Sequence, residues 1–207
     1  MYVDGFNLFY GCIKGTPYKW LDLDALSRTM LPRDRIHRIR YFTARVSSRP
    51  DDPGADLRQA AYLRALGTIP HLNIHLGRFS KTITRMPLAY PVPGGPKTIE
   101  VIKMEEKRTD VSFASHLLTD AYEQDSDGVV LITNDSDLAE PIHLLQQRFG
   151  MPIGIINPHR THPCARDLLS AQPGFVARIR VGALRNSQFP DQLSDFRGEV
   201  ITRPAKW

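Results

Sequence analysis

The segment Leu131-Ile132-Thr133-Asn134-Asp135-Ser136-Asp137 is an apolar run that breaks into two carboxylates one residue apart. Val129 to Ile132 reads as a buried strand, and charge begins where that strand should stop, which in an open α/β sheet is where ligands bind. A second acid stands near the start, in Tyr2-Val3-Asp4-Gly5-Phe6-Asn7, and a third acid-bearing motif is Glu106-Lys107-Arg108-Thr109-Asp110. Alone, Asp4 would serve as a turn or helix cap and Asp110 as an acid facing a helix dipole. Together, Asp4, Asp110, Asp135 and Asp137 would share one mouth, where ionised carboxylates persist only with a cation or by protonation. Oxygen donors without His or Cys favour Mg²⁺ or Mn²⁺ over zinc. Such a cation polarises a phosphate oxygen and activates water, which suits hydrolysis of a phosphodiester. Around the acids, Asn7 is placed to hydrogen-bond Asp4, Lys107 and Arg108 to meet a phosphate, and Asn134 and Ser136 to orient the acids or touch substrate.

These residues need a scaffold, and the apolar pattern supplies one. Met1–Val3 reads as a short first strand ending at Asp4, and Leu23, Leu26 and Met30 after Asp22 as an amphipathic helix. Arg35–Val46 alternates as a second strand and runs into a polar loop at Ser47–Gly54. Leu57, Ala60, Ala61, Leu63 and Leu66 then repeat at helical spacing up to Gly67, and Leu72–Phe79 reads as a third strand. Strand, helix, strand, in succession, favours a parallel sheet with right-handed crossovers.

Arg78–Lys107 breaks that rhythm. Its turn-rich centre, Pro91-Val92-Pro93-Gly94-Gly95-Pro96, predicts a hairpin arm flanked by Lys81–Met86 and Thr98–Met104. Lys81, Arg85, Lys97 and Lys103 make the arm basic, and it ends at the Glu106–Asp110 motif, so it is read as an RNA-contacting arm rather than a solvated loop. A helix over 110–122 follows, with Val111, Ala114, Leu117, Leu118, Ala121 and Tyr122 on one face. After the strand Gly128–Thr133 come a helix over 138–149, with Ile142, Leu145 and Phe149 inward, and a strand at Pro152–Ile156. His159, His162 and Cys164 lie close in sequence but lack a fourth ligand and fall in a loop, so zinc is disfavoured. Cys164–Ser170 reads as a short helix and Phe175–Val181 as an edge strand. Residues 187–207 read as a tail that wraps the core or docks a protein partner or second copy.

With 207 residues the chain suits one core, carrying appendages. Two isolated cysteines, Cys12 and Cys164, give no disulfide framework, and no apolar run approaches membrane-spanning length, so a cytoplasmic protein with no membrane partner is expected. The net charge of +5 favours an anionic partner only if the basic residues cluster.

Asp4-Gly5-Phe6-Asn7 after the first strand, Glu106-Lys107-Arg108-Thr109-Asp110-Val111 before a helix, and Thr133-Asn134-Asp135-Ser136-Asp137-Leu138 after a later strand resemble the NYN domain family, relatives of PIN-domain nucleases. The resemblance spans residues 1–157, with the inserted arm at 79–107, and leaves 158–207 as a C-terminal extension. It implies a PIN-like three-layer α/β sandwich with a central, mainly parallel sheet. It also implies Mg²⁺- or Mn²⁺-dependent (endo)ribonuclease activity on single-stranded or structured RNA. Asp4, Asp110, Asp135 and Asp137 take the places of the metal-binding acids, and Asn7 that of a site residue. Arg108 and Asn134 stand where the family usually has glycine or a small residue. The alternative is an RNA-binding module with a vestigial site. An aspartyl-phosphate phosphatase is disfavoured, because Phe6 stands where the acid-base Asp would be needed.

Overall fold

Strand β1 (Tyr2–Asp4) runs through the middle of a seven-stranded sheet in a computed structural model that describes residues 1–207. It pairs in parallel with β2 (Ile39–Ala44) on one side and β5 (Val129–Ile132) on the other. Outward from β2 lie β3 (Leu72–Pro87) and β4 (Thr98–Lys107); outward from β5 lie β6 (Ile153–Asn157) and β7 (Phe175–Arg178). Within this sheet only the β3–β4 pair is antiparallel. The chain winds outward in opposite directions from β1 and β5, so a crevice opens at their C-terminal ends.

Strand pleating sends alternate side chains to two cores. Val3, Ile39, Tyr41, Ile132 and Ile156 meet α2 (Leu23–Met30), α3 (Ala55–Leu66) and α7 (Val181–Asn186). Tyr2, Phe42, Leu131 and Ile155 meet α4 (Thr109–Tyr122), α5 (Ala139–Phe149) and α6 (Arg166–Ser170). The result is the three-layer α/β sandwich with a mainly parallel sheet expected from the sequence. Asp22 caps α2 by accepting the amides of Asp24 and Ala25 at 2.9 and 3.1 Å, and Gly150 ends α5 at a φ of 59°.

Several apolar residues read as inward are not. On α4 the buried row is Phe113, Leu117 and Ala121, each four residues apart, which turns Val111 and Tyr122 out to 72% and 79% exposure. Leu57 on α3 and Phe149 at the end of α5 are also exposed. Of the two capping roles open to Asp4, the structure shows the helix cap: Asp4 begins a short helix, α1 (Gly5–Leu8), continued by a π-helical turn at Phe9–Ile13. A Cβ on Gly5 would lie 2.7 Å from the Phe42 carbonyl oxygen, so only glycine lets α1 start this close to β2.

The hairpin arm forms, but it is no separate element. β3 runs unbroken for 16 residues; its first part pairs with β2, and Arg78–Pro87 leaves the sheet to pair with β4 alone. The tail packs on the core: β8 (Gln192–Ser194) and β9 (Val200–Thr202) form a hairpin, Ile201 is buried, and Trp207 packs edge-on against Trp20 and Tyr62. At the N-terminal ends of the strands, Asp120 of α4 accepts hydrogen bonds from Arg40 Nε and Nη2 at 2.6 and 2.5 Å and from the Tyr2 hydroxyl, a polar brace under the second core. No helix is long and apolar enough to cross a membrane.

Candidate active site

Asp4 ends β1 and is 5% exposed. Its Oδ1 accepts the backbone N–H of Asn7, and its Oδ2 accepts Asn7 Nδ2, both at 2.9 Å. Thr133, fully buried at the end of β5, donates its hydroxyl to Asp4 Oδ2 at 3.3 Å and accepts the Asp135 amide at 3.1 Å. Asn7 closes the loop, its Oδ1 accepting the Asn134 amide at 3.2 Å. The residues at the two strand ends are thus tied to one another across the β1–β5 seam. Asp135 caps the 3₁₀ turn Ser136–Leu138 by accepting the Asp137 amide at 3.1 Å, and Ser136 and Asp137 are exposed at the rim. Asn134 points sideways, Nδ2 donating to the Pro163 carbonyl at 3.2 Å and Oδ1 accepting the Ala165 amide at 2.8 Å.

Asp110 enters in the first turn of α4. Its carboxyl is pushed up to about 6 by partial burial and then by the charges of Asp135, Asp4, Glu106 and Asp137. Burial also raises Asp4; the Asn7 hydrogen bonds oppose that rise and the Asp135 charge adds to it. The Asp110 side chain nonetheless reaches solvent, so water screens part of this repulsion. Asp110 therefore lies within electrostatic reach of Asp135, Asp4, Glu106 and Asp137, and Asp4 within reach of Asp135.

Glu106 is a fifth acid, to which the sequence motif alone assigns no role. Its Oε1 accepts the Thr109 amide at 3.3 Å and the Thr109 hydroxyl, holding the start of α4. A Cβ on Gly77 would collide with both side chains and lie 2.8 Å from the Lys107 carbonyl oxygen. Arg108 sits between Lys107 and α4 at a φ of 83°, the left-handed region that glycine occupies without strain. The motif's position at a strand end is the signal for Glu106, since it shares the strand face of Phe79 across the β3–β4 register.

That register divides the basic residues of the arm. Directly opposed residues share a face. Lys81 with Met104, Ile83 with Ile102 and Arg85 with Glu100 lie on the face of Phe79 and Glu106, and Phe79 packs edge-on against Phe6 of α1 at 5.6 Å. Lys103 and Lys107 lie on the other face, both paired with Glu105, at 2.6 and 3.3 Å. Lys97 is exposed at the turn.

Asp4 is buried, Asp135 is partly exposed, and Asp110 and Asp137 are exposed. No three His, Cys, Asp or Glu side chains lie close enough together to hold an ion as they stand. The donor set nevertheless fits a hard divalent cation: it is all oxygen, Asp110 carries a raised proton affinity that a cation would relieve, and a carboxylate oxygen accepting one hydrogen bond keeps a lone pair free. A cleft of about 650 Å³ at the N-terminal ends of the strands, bordered by Arg38, Arg40, Asp120 and Asp125, includes none of these acids.

The sequence profile of the NYN domain matches residues 1–180. The chain belongs to the NYN domain family. The match takes in β7 as well as the core strands. A curated relative, the 6-hydroxy-3-succinoylpyridine 3-monooxygenase HspA of Pseudomonas putida (strain DSM 28022 / S16), is 30% identical over 233 aligned residues, covering all of this chain and 74% of the relative. Among solved structures, the NYN fold here is similar to a protein of unknown function, VPA0982, from Vibrio parahaemolyticus RIMD 2210633. That likeness has a TM-score of 0.51 at 15% identity and covers 87% of this chain and 91% of the other. NYN domains belong to the PIN-like nuclease superfamily, whose members are generally hydrolases that use divalent metals.

Proposed function

We propose that this NYN protein is a metal-dependent ribonuclease that hydrolyses RNA phosphodiester bonds and leaves a 5′-phosphate. The observation that carries the reading is the tie from Asp4 through Thr133 to Asp135, which joins two sequence-distant acids at the mouth between β1 and β5. Asp4, Asp110, Asp135 and Asp137 would hold Mg²⁺ or Mn²⁺. Such a cation supplies Lewis acidity toward a phosphate oxygen and makes water a stronger nucleophile at neutral pH. Asn7 fixes both oxygens of Asp4, and Thr133 sets its rotamer while orienting the Asp135 backbone. Water adds to phosphorus, the P–O3′ bond breaks, and the proton lost by water ends on the departing 3′ oxygen. Lys81 and Arg85, on the arm face continuous with Phe79, would bind flanking phosphates. Lys103 and Lys107, tied to Glu105, would add little to that face unless RNA displaces their partner.

Purified protein with Mn²⁺ should cleave single-stranded RNA and Asp135→Asn should not. Equal activity in the two proteins overturns the reading. Salt-sensitive RNA binding without turnover would instead mark a binding module with a vestigial site.

A second reading rests on the likeness to the Pseudomonas putida monooxygenase over the whole chain. It would have this protein put one atom of dioxygen into a hydroxypyridine and release the other as water, with two electrons from a reductant. Oxygen uptake with 6-hydroxy-3-succinoylpyridine and a reduced nicotinamide, absent without the pyridine, would favour it; no uptake alongside RNA cleavage would exclude it.

A further inference from the structure

The basic residues outside the arm are not spread evenly. Residues 141–190 hold six arginines, no lysine and a single acid, Asp167, so this stretch alone accounts for the full net charge of +5. Three of the six stand at the mouth end of β6 and β7. Arg160 lies in the loop after β6, Arg166 opens α6 and Arg178 ends β7, opposite Asn157 in the register.

This loop is pinned in place. Asn157, fully buried, accepts the His159 amide at 2.8 Å and donates to the His162 carbonyl at 3.1 Å. Asn134, next to Asp135, holds it at Pro163 and Ala165. Arg178 donates to the carbonyls of Arg160 and His162 at 3.3 and 3.1 Å, and Arg160 to the Cys12 carbonyl at 2.9 Å. Carbonyls accept hydrogen bonds without cancelling charge. None of the three arginines has a carboxylate within ion-pair distance, unlike Lys103 and Lys107 of the arm. All three are exposed.

We propose that Arg160, Arg166 and Arg178 form a second phosphate-binding rim, so that a single RNA strand lies across the sheet from the arm, over the acids, to this loop. The proposal rests on the nuclease reading for its substrate and adds the path that the substrate takes. The strand order supports it, because the acids at β1 and β5 lie between the arm on β3 and β4 and the loop joining β6 to β7. Five inter-strand spacings separate β3 from β7, about 24 Å, a distance that takes several nucleotides. A central band of acids flanked on both sides by unneutralised cations attracts a polyanion to the flanks and leaves the middle for a metal-bridged phosphate. At Arg160 and Arg178 the forked donors of arginine can bond a backbone carbonyl and a phosphate together, and Arg166 keeps all its donors free.

The test is the affinity of the full chain for a fluorescein-labelled oligouridylate, measured by anisotropy in EDTA across a salt series, with cleavage under Mn²⁺ measured separately. Arg166 makes no side-chain hydrogen bond to the rest of the chain, so Arg166→Glu should keep the fold. It should weaken binding about fivefold or more and flatten the salt dependence. Replacing Arg160, Arg166 and Arg178 together by Gln should lower the log–log salt slope by about 0.7 for each phosphate no longer neutralised, about two in all. If that triple variant does not fold, Arg166→Glu decides alone. Unchanged affinity and slope in folded variants overturn the rim, as does a wild-type protein that binds no RNA. Displacement by polyglutamate as effective as by unlabelled RNA, with the same dependence on Arg166, assigns the rim to an acidic protein and also overturns it. Arginine-dependent binding without cleavage leaves the rim standing and removes the nuclease reading.

Discussion

Asn7 holds Asp4 by both carboxylate oxygens, through its backbone N–H and its side-chain amide, each at 2.9 Å. The same side chain receives the Asn134 amide from the β5 loop. One residue therefore orients an acid on β1 and anchors the loop that carries Asp135 and Asp137.

Asn7→Ala should lower activity about 10–100-fold, the usual cost of losing a group that orients a metal ligand. It should raise the Mn²⁺ concentration needed for half-maximal rate and cost about 1–3 kcal/mol of stability from the stranded partners. Mn²⁺ titration of the initial rate and urea unfolding check both.

Asp110 gives the pH dependence. Its carboxyl is raised from 3.8 to about 6 in the folded chain by partial burial and neighbouring acids. Between those values the folded state keeps a proton that the unfolded state has released. The stabilising contribution is complete below about pH 4 and is lost as the pH rises through 6. Metal-free protein should therefore lose about 1 kcal/mol from this group between pH 4 and 7, after allowance for solvent screening. Asp110→Asn should remove that slope in a thermal melt series. Activity should rise with pH through about 6, with the limb moved lower as Mn²⁺ is raised.

Arg108 is a strained N-cap at a φ of 83°. Arg108→Gly should raise stability by about 1 kcal/mol, or about 2–4 °C in melting temperature. Gly77→Ala should act in the opposite direction, because its methyl group meets the Lys107 backbone as well as Glu106 and Thr109. Displacing the start of α4 moves Asp110, so this variant should lose most of its activity while binding RNA through the arm.

Asp120, Arg40 and Tyr2 lie at the far end of the sheet from the acids. Burial pulls the Asp120 carboxyl up, but the Arg40 and Tyr2 hydrogen bonds hold it below the usual range. Asp120→Ala should cost about 3–5 kcal/mol by leaving the largely buried Arg40 guanidinium without its partner. Measured below the unfolding transition, its rate of RNA cleavage should match the wild type.

The two-core sandwich was legible because its signals are periodic. Val129 to Ile132 and Ile153 to Ile156 are continuous apolar runs, as strands covered on both faces must be. The apolar runs do not give the strand order; that β1 lies beside β5, and that Thr133 ties Asp4 to the Asp135 amide, is seen only in the fold. Less legible were features set by contacts between segments. Val111 and Tyr122 are apolar but face water, since the helix had already filled its inward row with Phe113, Leu117 and Ala121. The strand register, which sets Lys81 and Arg85 apart from Lys103, depends on how the ten-pair ribbon closes around Pro91–Pro96. Thr133 gave no signal of its own, because a buried threonine at a strand end is ordinary until the fold brings Asp4 within 3.3 Å of it.

Crystals grown with Mn²⁺, with the ion located by anomalous scattering, would show directly whether Asp4 and Asp135 share a cation. The account predicts a peak at the β1–β5 mouth with Asp4 and Asp135 oxygens at about 2.1 Å, supported by Asp110 or Asp137, and no peak for Asp135→Asn. Mn²⁺ bound elsewhere, or a mouth left empty at saturating Mn²⁺ with Asp4 and Asp135 turned apart, would contradict it.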